Sequence, residues 1–451
     1  MRVSVIGTGY VGLVSGACLA GKGHDVVCVD TLQEKIDQIN ACSPPIHEEG
    51  LEDLLRETVG KTLRGTTDLR EAVMNSDISL IAVGTPFDGN EIDLKYIREV
   101  SRQIGEVLRD KDSYHVVVVK STVVPGTTDT VVTPILEEAS GKKAGKDFGT
   151  GMNPEFLKEG EAIVDFMHPD RIVIGGNDDR AIAVMDELYA VFPGIDVVRT
   201  NPATAEMIKY TANSLLATLI SFSNEIGNLC AKVGVDVVEA MEGMHLDKRF
   251  TPILPEEAGR IWPGFITYLA AGCGFGGSCF PKDVKALIAY GENAGAPMPL
   301  LNAVIETNEA QPHQMMTRLK AHLPDLSAKR ITVLGVAFKP GTDDIRESPA
   351  LTIIRELLEA GAEVITYDPI ARHEAEALFG DTITYEDDLG QALEGSEAIL
   401  IVTRWPEFAD LPKHLKGATP QPLVIDGRRM ISKDSVARYE GIGLKLAAKH
   451  V

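Results

Sequence analysis

Close to the start of the chain an apolar run, Val3-Ser4-Val5-Ile6, passes straight into Gly7-Thr8-Gly9-Tyr10-Val11-Gly12. No other segment constrains the fold as much. Three glycines at this spacing between a strand and a helix form a phosphate-binding turn. Gly7 allows the tight turn, Gly9 lets backbone approach a pyrophosphate, and Gly12 lets helix and strand pack closely. Asp30, at the end of the next strand-like run, is the acid that bonds both ribose hydroxyls and repels a 2′-phosphate. The expected cofactor is therefore NAD and not NADP. The bland alternative is an ordinary strand-to-helix turn with a surface aspartate nearby. The same glycines interrupt the apolar stretch from Met1 to Ala20, so it reads as the opening of a domain and not as a secretory signal.

The alternation then continues, with β-branched runs at Asp25 to Val29, Ser79 to Val83, Val116 to Val119, Arg171 to Ile174 and Asp196 to Arg199 separated by helical patterns. Strands alternating with helices predict a parallel sheet covered on both faces, here over residues 1–200. Asn201-Pro202 reads as a helix cap followed by a first-turn proline, and no breaker follows until Gly234. That predicts a helix of about 30 residues, longer than one compact α/β unit normally uses, which links two domains and offers a face to a partner subunit. A mainly helical region runs on to residue 325, with a Pro/Gly-rich insert from Thr251 to Gly277. From Lys329 strand and helix alternate again, through Ile331-Thr332-Val333-Leu334, Ser348-Pro349, Glu363 to Tyr367, Ile399 to Val402 and Leu423 to Ile425. The fold class is α/β: two doubly wound (Rossmann-like) domains, residues 1–200 and 326–451, joined by a long central helix and a mainly helical middle region, 201–325.

Charge narrows the partners. Forty-four Lys+Arg against 66 Asp+Glu leave a formal charge of −22, a field that repels phosphate backbones and acidic lipid headgroups. Neither nucleic acid nor membrane is expected, and an anionic ligand has to be captured by a local cluster of donors. Cys18, Cys28, Cys42, Cys230, Cys273 and Cys279 show neither zinc-type spacing nor a disulfide framework. A reducing cytoplasm and no metal are expected.

A second glycine loop, Gly274-Phe275-Gly276-Gly277-Ser278-Cys279-Phe280-Pro281-Lys282-Asp283, leaves room beside a thiol. A nearby cation favours the reactive thiolate. The alternative for Cys279 is a buried small hydrophobe, the fate expected for Cys18, Cys28 and Cys230. Lys209 and Asn213 lie four residues apart on one helix face. They could hold an oxygen that becomes negative during reaction, or mark a solvated face. Glu155 and Glu159 follow Pro154, which reads as opening a helical turn, so both acids could simply answer the helix dipole.

Taken together, the chain resembles the UDP-glucose/GDP-mannose dehydrogenase family along nearly its whole length. The matching segments are the Gly7 motif, Val83-Gly84-Thr85-Pro86, Lys120-Ser121-Thr122-Val123, Asn153 to Gly160, Glu206 to Asn213, Phe275 to Asp283, Phe338 to Arg346 and Asp426-Gly427-Arg428-Arg429. The resemblance implies a four-electron oxidation of a sugar C6 alcohol to an acid, with two NAD reduced per sugar. It implies Cys279 as nucleophile, Lys209 and Asn213 as oxyanion stabilisers, Asp283 positioning a water or accepting a proton, Glu155 serving thioester hydrolysis, and Thr122 in the reacting cleft. Toward NAD it implies Gly7, Gly9, Val11, Gly12, Asp30, Lys35, Thr85, Thr122, Glu159, Lys282 and Arg346. Toward the nucleotide sugar it implies Glu155, Phe156, Leu157, Lys209, Asn213, Arg249, Phe275, Gly276, Lys339 and one of Arg428 and Arg429, with Arg429 as the candidate. Lys209, Lys282, Lys339 and Arg346 would form the local basic lining that the global charge demands.

UDP-glucose is the expected substrate, since Phe280 leans toward that branch. GDP-mannose is the alternative, kept by the stretch Ser140 to Gly145. A single-step hydroxyacid dehydrogenase is a rival among enzymes, and a non-catalytic nucleotide-binding regulator is the rival from another class. A homodimer or larger homo-oligomer is expected from the long helix. Two segments depart from the family pattern: Phe250 to Cys273 is longer than usual, and Pro45 to Leu51 carries His47 and Glu49, with His47 read as a surface residue.

Overall fold

The computed structural model describes residues 1–254 and 259–446. Two compact units, Met1–Ala212 and Asn213–Val451, each enclose their own sheet.

In the first unit the strands are β1 Arg2–Ile6, β2 Asp25–Val29, β3 Leu63–Thr66, β4 Ile78–Ile81, β5 Val116–Val119, β6 Gly149–Met152, β7 Arg171–Gly176 and β8 Asp196–Thr200, in the order β3-β2-β1-β4-β5-β6-β7-β8. All neighbours are parallel except β6 and β7. β4 and β5 read Ile-Ser-Leu-Ile and Val-Val-Val-Val and are buried throughout, as a sheet covered on both faces requires. Apolar clusters lie on each side, one around Leu13, Leu51 and Met185, the other around Ile97, Ile104 and Leu136. The chain reverses its strand order between β1 and β4, and at that switch point the carboxyl ends of the strands open a crevice for a ligand.

Two strands here are absent from the sequence reading, β3 and β6. β6 reads Gly-Thr-Gly-Met, with little intrinsic strand preference. It is a strand because it is squeezed between neighbours. A Cβ on Gly149 would stand 2.5 Å from the Tyr114 hydroxyl, and one on Gly151 2.8 Å from the Gly175 carbonyl.

The expected long helix runs Pro202–Val233, and Asn201 caps it by accepting the Thr204 N–H at 2.8 Å. In the second unit β9 Arg330–Leu334, β10 Glu363–Tyr367, β11 Thr384–Tyr385, β12 Ala398–Ile401, β13 Leu423–Asp426 and β14 Tyr439–Gly441 form a parallel sheet ordered β11-β10-β9-β12-β13-β14. Only the two short edge strands, β11 and β14, escape the sequence pattern. The helix Pro349–Glu359 begins where Ser348-Pro349 places it, with the Ser348 hydroxyl accepting the Ala350 N–H. Two further helices, Phe280–Asn293 and Pro299–His322, carry the thiol loop and its support. Of the long insert, residues 255–258 lie outside the described residues; Gly264–Tyr268 forms a single 3-10 turn. Among the described residues no helix is long and apolar enough to cross a membrane.

Candidate active site

The three glycines of the first loop have three different surroundings. Gly7 has φ +100° and an added Cβ would meet the Ala82 carbonyl at 2.7 Å; on Gly12 it would meet the Gly7 carbonyl at 1.9 Å; around Gly9 there is nothing within 4 Å. The turn, the close packing and the open approach assigned to these positions are thus all present. Asp30 faces the loop, accepting the Thr8 N–H at 2.9 Å, the Thr8 hydroxyl at 2.6 Å and the Leu32 N–H at 3.1 Å. Burial pushes its carboxyl up, but these donors and Lys35 outweigh burial and hold it below the ordinary range. An ionised acid beside an open glycine backbone at the β1/β4 switch point fits a dinucleotide, and Lys35 stands close enough to share its field. The loops after β4 and β5 are tied together where the Thr85 hydroxyl donates to the Thr122 carbonyl at 2.7 Å and the Ser121 hydroxyl to the Val83 carbonyl at 2.6 Å.

On the same carboxyl edge, β6 delivers Asn153 to Gly160. No helical turn forms at Pro154: residues 153–158 are irregular, and the next helix is Ala162–Met167. The helix dipole therefore does not account for Glu155. Its side chain is buried and pairs with Lys209 Nζ at 2.8 Å, the two being 6% and 4% exposed, while its other oxygen accepts the Leu157 N–H at 2.7 Å. Burial alone would push the Glu155 carboxyl up; the Lys209 ammonium, the Leu157 N–H and Lys120 reverse this and bring it below the usual range. Nor is Lys209 part of a solvated face. Lys209 Nζ lies 5.6 Å from the Phe156 ring centroid, and the Arg171 guanidinium covers that ring at 3.9 Å. Glu159 is half-buried in the following turn. That turn is pinned by Glu48, which accepts the N–H groups of Gly160 and Ala162 at 2.7 Å each and a hydrogen bond from the Tyr10 hydroxyl. His47 and Glu49, the departures from the family pattern, are exposed on either side of it.

In the second unit the glycine loop is as crowded as its composition implies. A Cβ on Gly276 would lie 2.3 Å from the Glu347 carbonyl, and one on Gly277, at φ +82°, would lie 2.8 Å from the Phe338 ring. The loop ends at Cys279, half-buried at the N-cap of the helix Phe280–Asn293, where the helix end favours negative charge. One residue of that helix gathers two others. Asp283, 1% exposed, accepts from Asn213 Nδ2 at 2.7 Å and from Lys282 Nζ at 2.6 Å. Asn213, one turn along the long helix from Lys209, is also buried. Phe275 packs edge-on against Phe280, with ring centroids 6.0 Å apart. By contrast Cys18, Cys28 and Cys230 are buried as expected, and burial pushes the thiols of Cys18 and Cys28 up to about 12.

The remaining candidates are placed as follows. Arg249 is exposed and forks onto Asp247. Arg346 forks onto Asp344, while its carbonyl receives the Gly277 N–H at 2.7 Å. Lys339 lies in the loop after β9, topologically where Gly7 to Gly12 follow β1. Of the two late arginines, Arg429 does not reach the glycine loop. It is drawn into a buried ion pair with Asp236 at 2.9 Å, whereas Arg428 donates to the Gly274 carbonyl at 3.0 Å. Asp368, the topological counterpart of Asp30 at the end of β10, is consumed internally: it accepts from the N–H groups of Val336, Ala337, Ile370 and Ala371 and from the Trp405 indole.

The UDP-glucose/GDP-mannose dehydrogenase family matches in three successive parts: its NAD binding domain over residues 1–193, its central domain over 203–310 and its UDP binding domain over 332–433. The chain belongs to that family. UDP-glucose 6-dehydrogenase AglM of Haloferax volcanii is 42% identical over 98% of this chain and 100% of its own length. GDP-mannose 6-dehydrogenase of Pseudomonas syringae pv. tomato is 40% identical over 96% of this chain and 95% of its own. The solved structure of a UDP-glucose dehydrogenase from Pyrobaculum islandicum superposes with a TM-score of 0.87 at 39% identity, covering 98% of this chain and 97% of that one. The protein is an NAD-dependent nucleotide-sugar dehydrogenase.

Sequence reasoning gave no role to several buried polar residues packed around these segments. Lys120, wholly buried after the four valines of β5, donates to Asn153 Oδ1 at 2.8 Å. Burial brings its ammonium down to about 8, Glu155 pulling it up and Lys209 pushing it further down. A lysine directly following an all-valine strand was the available signal. Glu206 opens one of the segments that carry the family resemblance, but Asn224, Asn308 and Gln311 gave no signal, because polar residues on a helix read as a wet face until the packing is known.

Proposed function

We propose that this protein oxidises UDP-glucose to UDP-glucuronate, transferring four electrons in two rounds with Cys279 holding the carbon between them. NAD, when bound, supplies the hydride acceptor in each round. The first oxidation turns the C6 alcohol into an aldehyde and releases a proton. The Cys279 thiolate then adds to the aldehyde carbon, giving a thiohemiacetal whose oxygen carries the charge. Loss of the second hydride leaves a thioester. Water cleaves the C–S bond, yielding the carboxylate and returning the thiol.

The roles of the side chains follow from their surroundings. Lys209 is a buried cation suited to an oxygen that becomes negative, and Asn213 offers a neutral donor one helical turn away. Glu155, held ionised, is suited to draw a proton from the hydrolytic water. Asp283, fixed between Asn213 and Lys282, is suited to accept the proton of the substrate hydroxyl. Phe275, Gly276, Lys339 and Arg428 are assigned to the nucleotide sugar, and Phe156 and Leu157 to the sugar side of the Glu155 loop. The pairing of Cys279 at a helix N-terminus with the fixed carboxylate Asp283 on that helix carries this reading, because a single-step hydroxyacid oxidation has no use for a thiol there.

We place the protein in the cytoplasm as a homodimer. On the long helix Leu215, Phe222 and Leu229 recur at seven-residue spacing and are 58%, 46% and 57% exposed, with Val233 at 64%. Such a stripe matches its own copy.

The deciding experiment counts NADH formed per sugar across UDP-, GDP- and TDP-hexoses. Two NADH per UDP-glucose, falling to one or none in Cys279→Ala, is the expected result. One NADH from the wild type, or full turnover by the variant, ends the thioester reading; preference for GDP-mannose moves the substrate.

A further inference from the structure

The backbone that leads to the thiol is held by side-chain amides. Asn224, fully buried on the long helix, accepts the Gly272 N–H at 2.8 Å. Gln311, also fully buried, donates to the Gly272 carbonyl at 2.7 Å, and its own carbonyl is fixed by Asn228 at 3.0 Å. Three residues further on, Asn308 closes a ring with the Phe275 peptide. It accepts the Phe275 N–H at 2.8 Å and donates to the Phe275 carbonyl at 3.0 Å. Between these two points lies Gly274, at φ +104°, whose Cβ would stand 3.0 Å from Asn308 Oδ1. Asn308 also sits four residues before Pro312 within the helix Pro299–His322. Proline has no N–H to return to the Asn308 carbonyl, so the helix lacks one bond on the turn that faces the loop.

We propose that Asn308 is a positioning residue for the thiol: by fixing the Phe275 peptide from both sides it sets where Gly276 to Cys279 stand during the second oxidation. The proposal rests on the two-round reading of Cys279 given above. The chemistry of the ring makes it specific to a carboxamide. A peptide offers one donor and one acceptor, and only a group with one of each facing it satisfies both. Asp at this position, when ionised, turns two acceptors toward a peptide that has a single N–H, leaving the Phe275 carbonyl opposite a negative oxygen. Protonated Asp, with one C=O and one O–H, restores the match. Ala leaves both peptide groups without the ring.

Phe275 is three residues from Ser278 and four from Cys279, and the chain between is fixed at Gly277, whose N–H bonds the Arg346 carbonyl at 2.7 Å. Slack introduced at Phe275 is therefore passed to the thiol. The first oxidation needs no sulfur. The second does, so a misplaced thiol lets the aldehyde escape before capture.

The test compares wild type, Asn308→Asp and Asn308→Ala in two assays. The first measures NADH per UDP-glucose with hydroxylamine present to trap released aldehyde. The second measures alkylation of Cys279 by iodoacetamide in the protein without substrate. Asn308→Ala is expected to lower kcat at least tenfold with a smaller change in KM, to bring the stoichiometry from two toward one, and to change the alkylation rate severalfold. Asn308→Asp is expected to do the same at pH 8, and to regain activity relative to wild type as the pH falls and the introduced acid protonates. A variant pair that keeps two NADH per sugar, wild-type kcat and the wild-type alkylation rate overturns the proposal. So does Asn308→Asp without pH rescue while Asn308→Ala behaves as wild type. If the wild type itself yields one NADH, the two-round reading falls, and the alkylation assay still reports whether Asn308 places the thiol. Should Asn308→Ala fail to fold, the ratio of Asn308→Asp to wild type across pH decides alone.

Discussion

Glu206 gives a test of how burial is offset in this site. It lies in the first turns of the long helix, fully buried. Its two oxygens accept the Gly126 N–H at 2.5 Å, the Thr128 N–H at 2.9 Å and the Thr128 hydroxyl at 2.7 Å. It thereby clamps the loop that follows Thr122 onto the helix that carries Lys209. Burial pushes its carboxyl up to about 7 in spite of those three donors, and Asp129 pushes the same way. Measured from the ordinary value of 4.5, at about 1.4 kcal/mol per tenfold change, the closed loop favours the protonated acid by about 3 kcal/mol. A carboxyl raised in the folded form contributes its stability in full below the unfolded value and loses it as the pH rises through the folded value. The clamp is therefore expected to weaken from about pH 4.5 to pH 7. Amide hydrogen exchange of the segment 122–130, expressed as protection so that the intrinsic pH dependence cancels, reads this directly. Wild-type protection should fall roughly 50- to 100-fold between pH 5 and pH 8. In Glu206→Gln, which cannot titrate and offers only one acceptor oxygen, protection should be lower at pH 5 and should not fall further with pH. Flat wild-type protection, or an equal fall in the variant, would refute the assignment of the shift to Glu206.

The glycine loop of the first unit separates folding from binding. Gly12→Ala places a methyl 1.9 Å from the Gly7 carbonyl, so a fall in Tm of several degrees is expected, consistent with an overpacking cost of about 1–3 kcal/mol or more. Gly9→Ala meets nothing within 4 Å; it should keep the wild-type Tm and lose NAD affinity at least tenfold by calorimetry, and equal effects of both on Tm would contradict the geometry. For the long helix, Phe222→Glu puts a charge into the exposed stripe. Sedimentation should show the wild type as a dimer and the variant shifted toward monomer, and a wild-type monomer would remove the proposed interface.

How far the sequence could be read depended on whether a feature was local. The Gly7 motif, Asp30, the strands of valine and isoleucine and the helix opening at Asn201-Pro202 are each decided within a few residues, and each stands where the pattern puts it. β6 was missed because its glycines answer to Tyr114, Ala181 and Met185, which are remote in sequence. The supposed helical turn at Pro154 failed for a related reason. Glu155 gives up one oxygen to the Leu157 N–H and the other to Lys209, and that non-local ion pair holds the segment in an irregular path. Arg428 and Arg429 could not be told apart in sequence. Arg429 is held at φ +49°, and its guanidinium is taken by Asp236, an acid nearly two hundred residues away.

Ion pairing also governs the cations of a chain whose net charge is −22. The cations singled out in sequence are not held bare: Lys209 is with Glu155, Lys282 with Asp283 and Arg346 with Asp344. For Lys209, which is buried, the pairing avoids the cost of an isolated charge. In the first unit Lys120 adds a second buried ammonium close to the Lys209–Glu155 pair. The strain of holding it shows at Lys120, whose ammonium burial has brought down to about 8. A negative charge developing on an oxygen next to Lys209 relieves that strain, whereas a neutral alcohol does not. In the reaction proposed above, these buried ammonium groups would favour the charged stage over the bound substrate, which is the condition for raising kcat rather than only tightening binding.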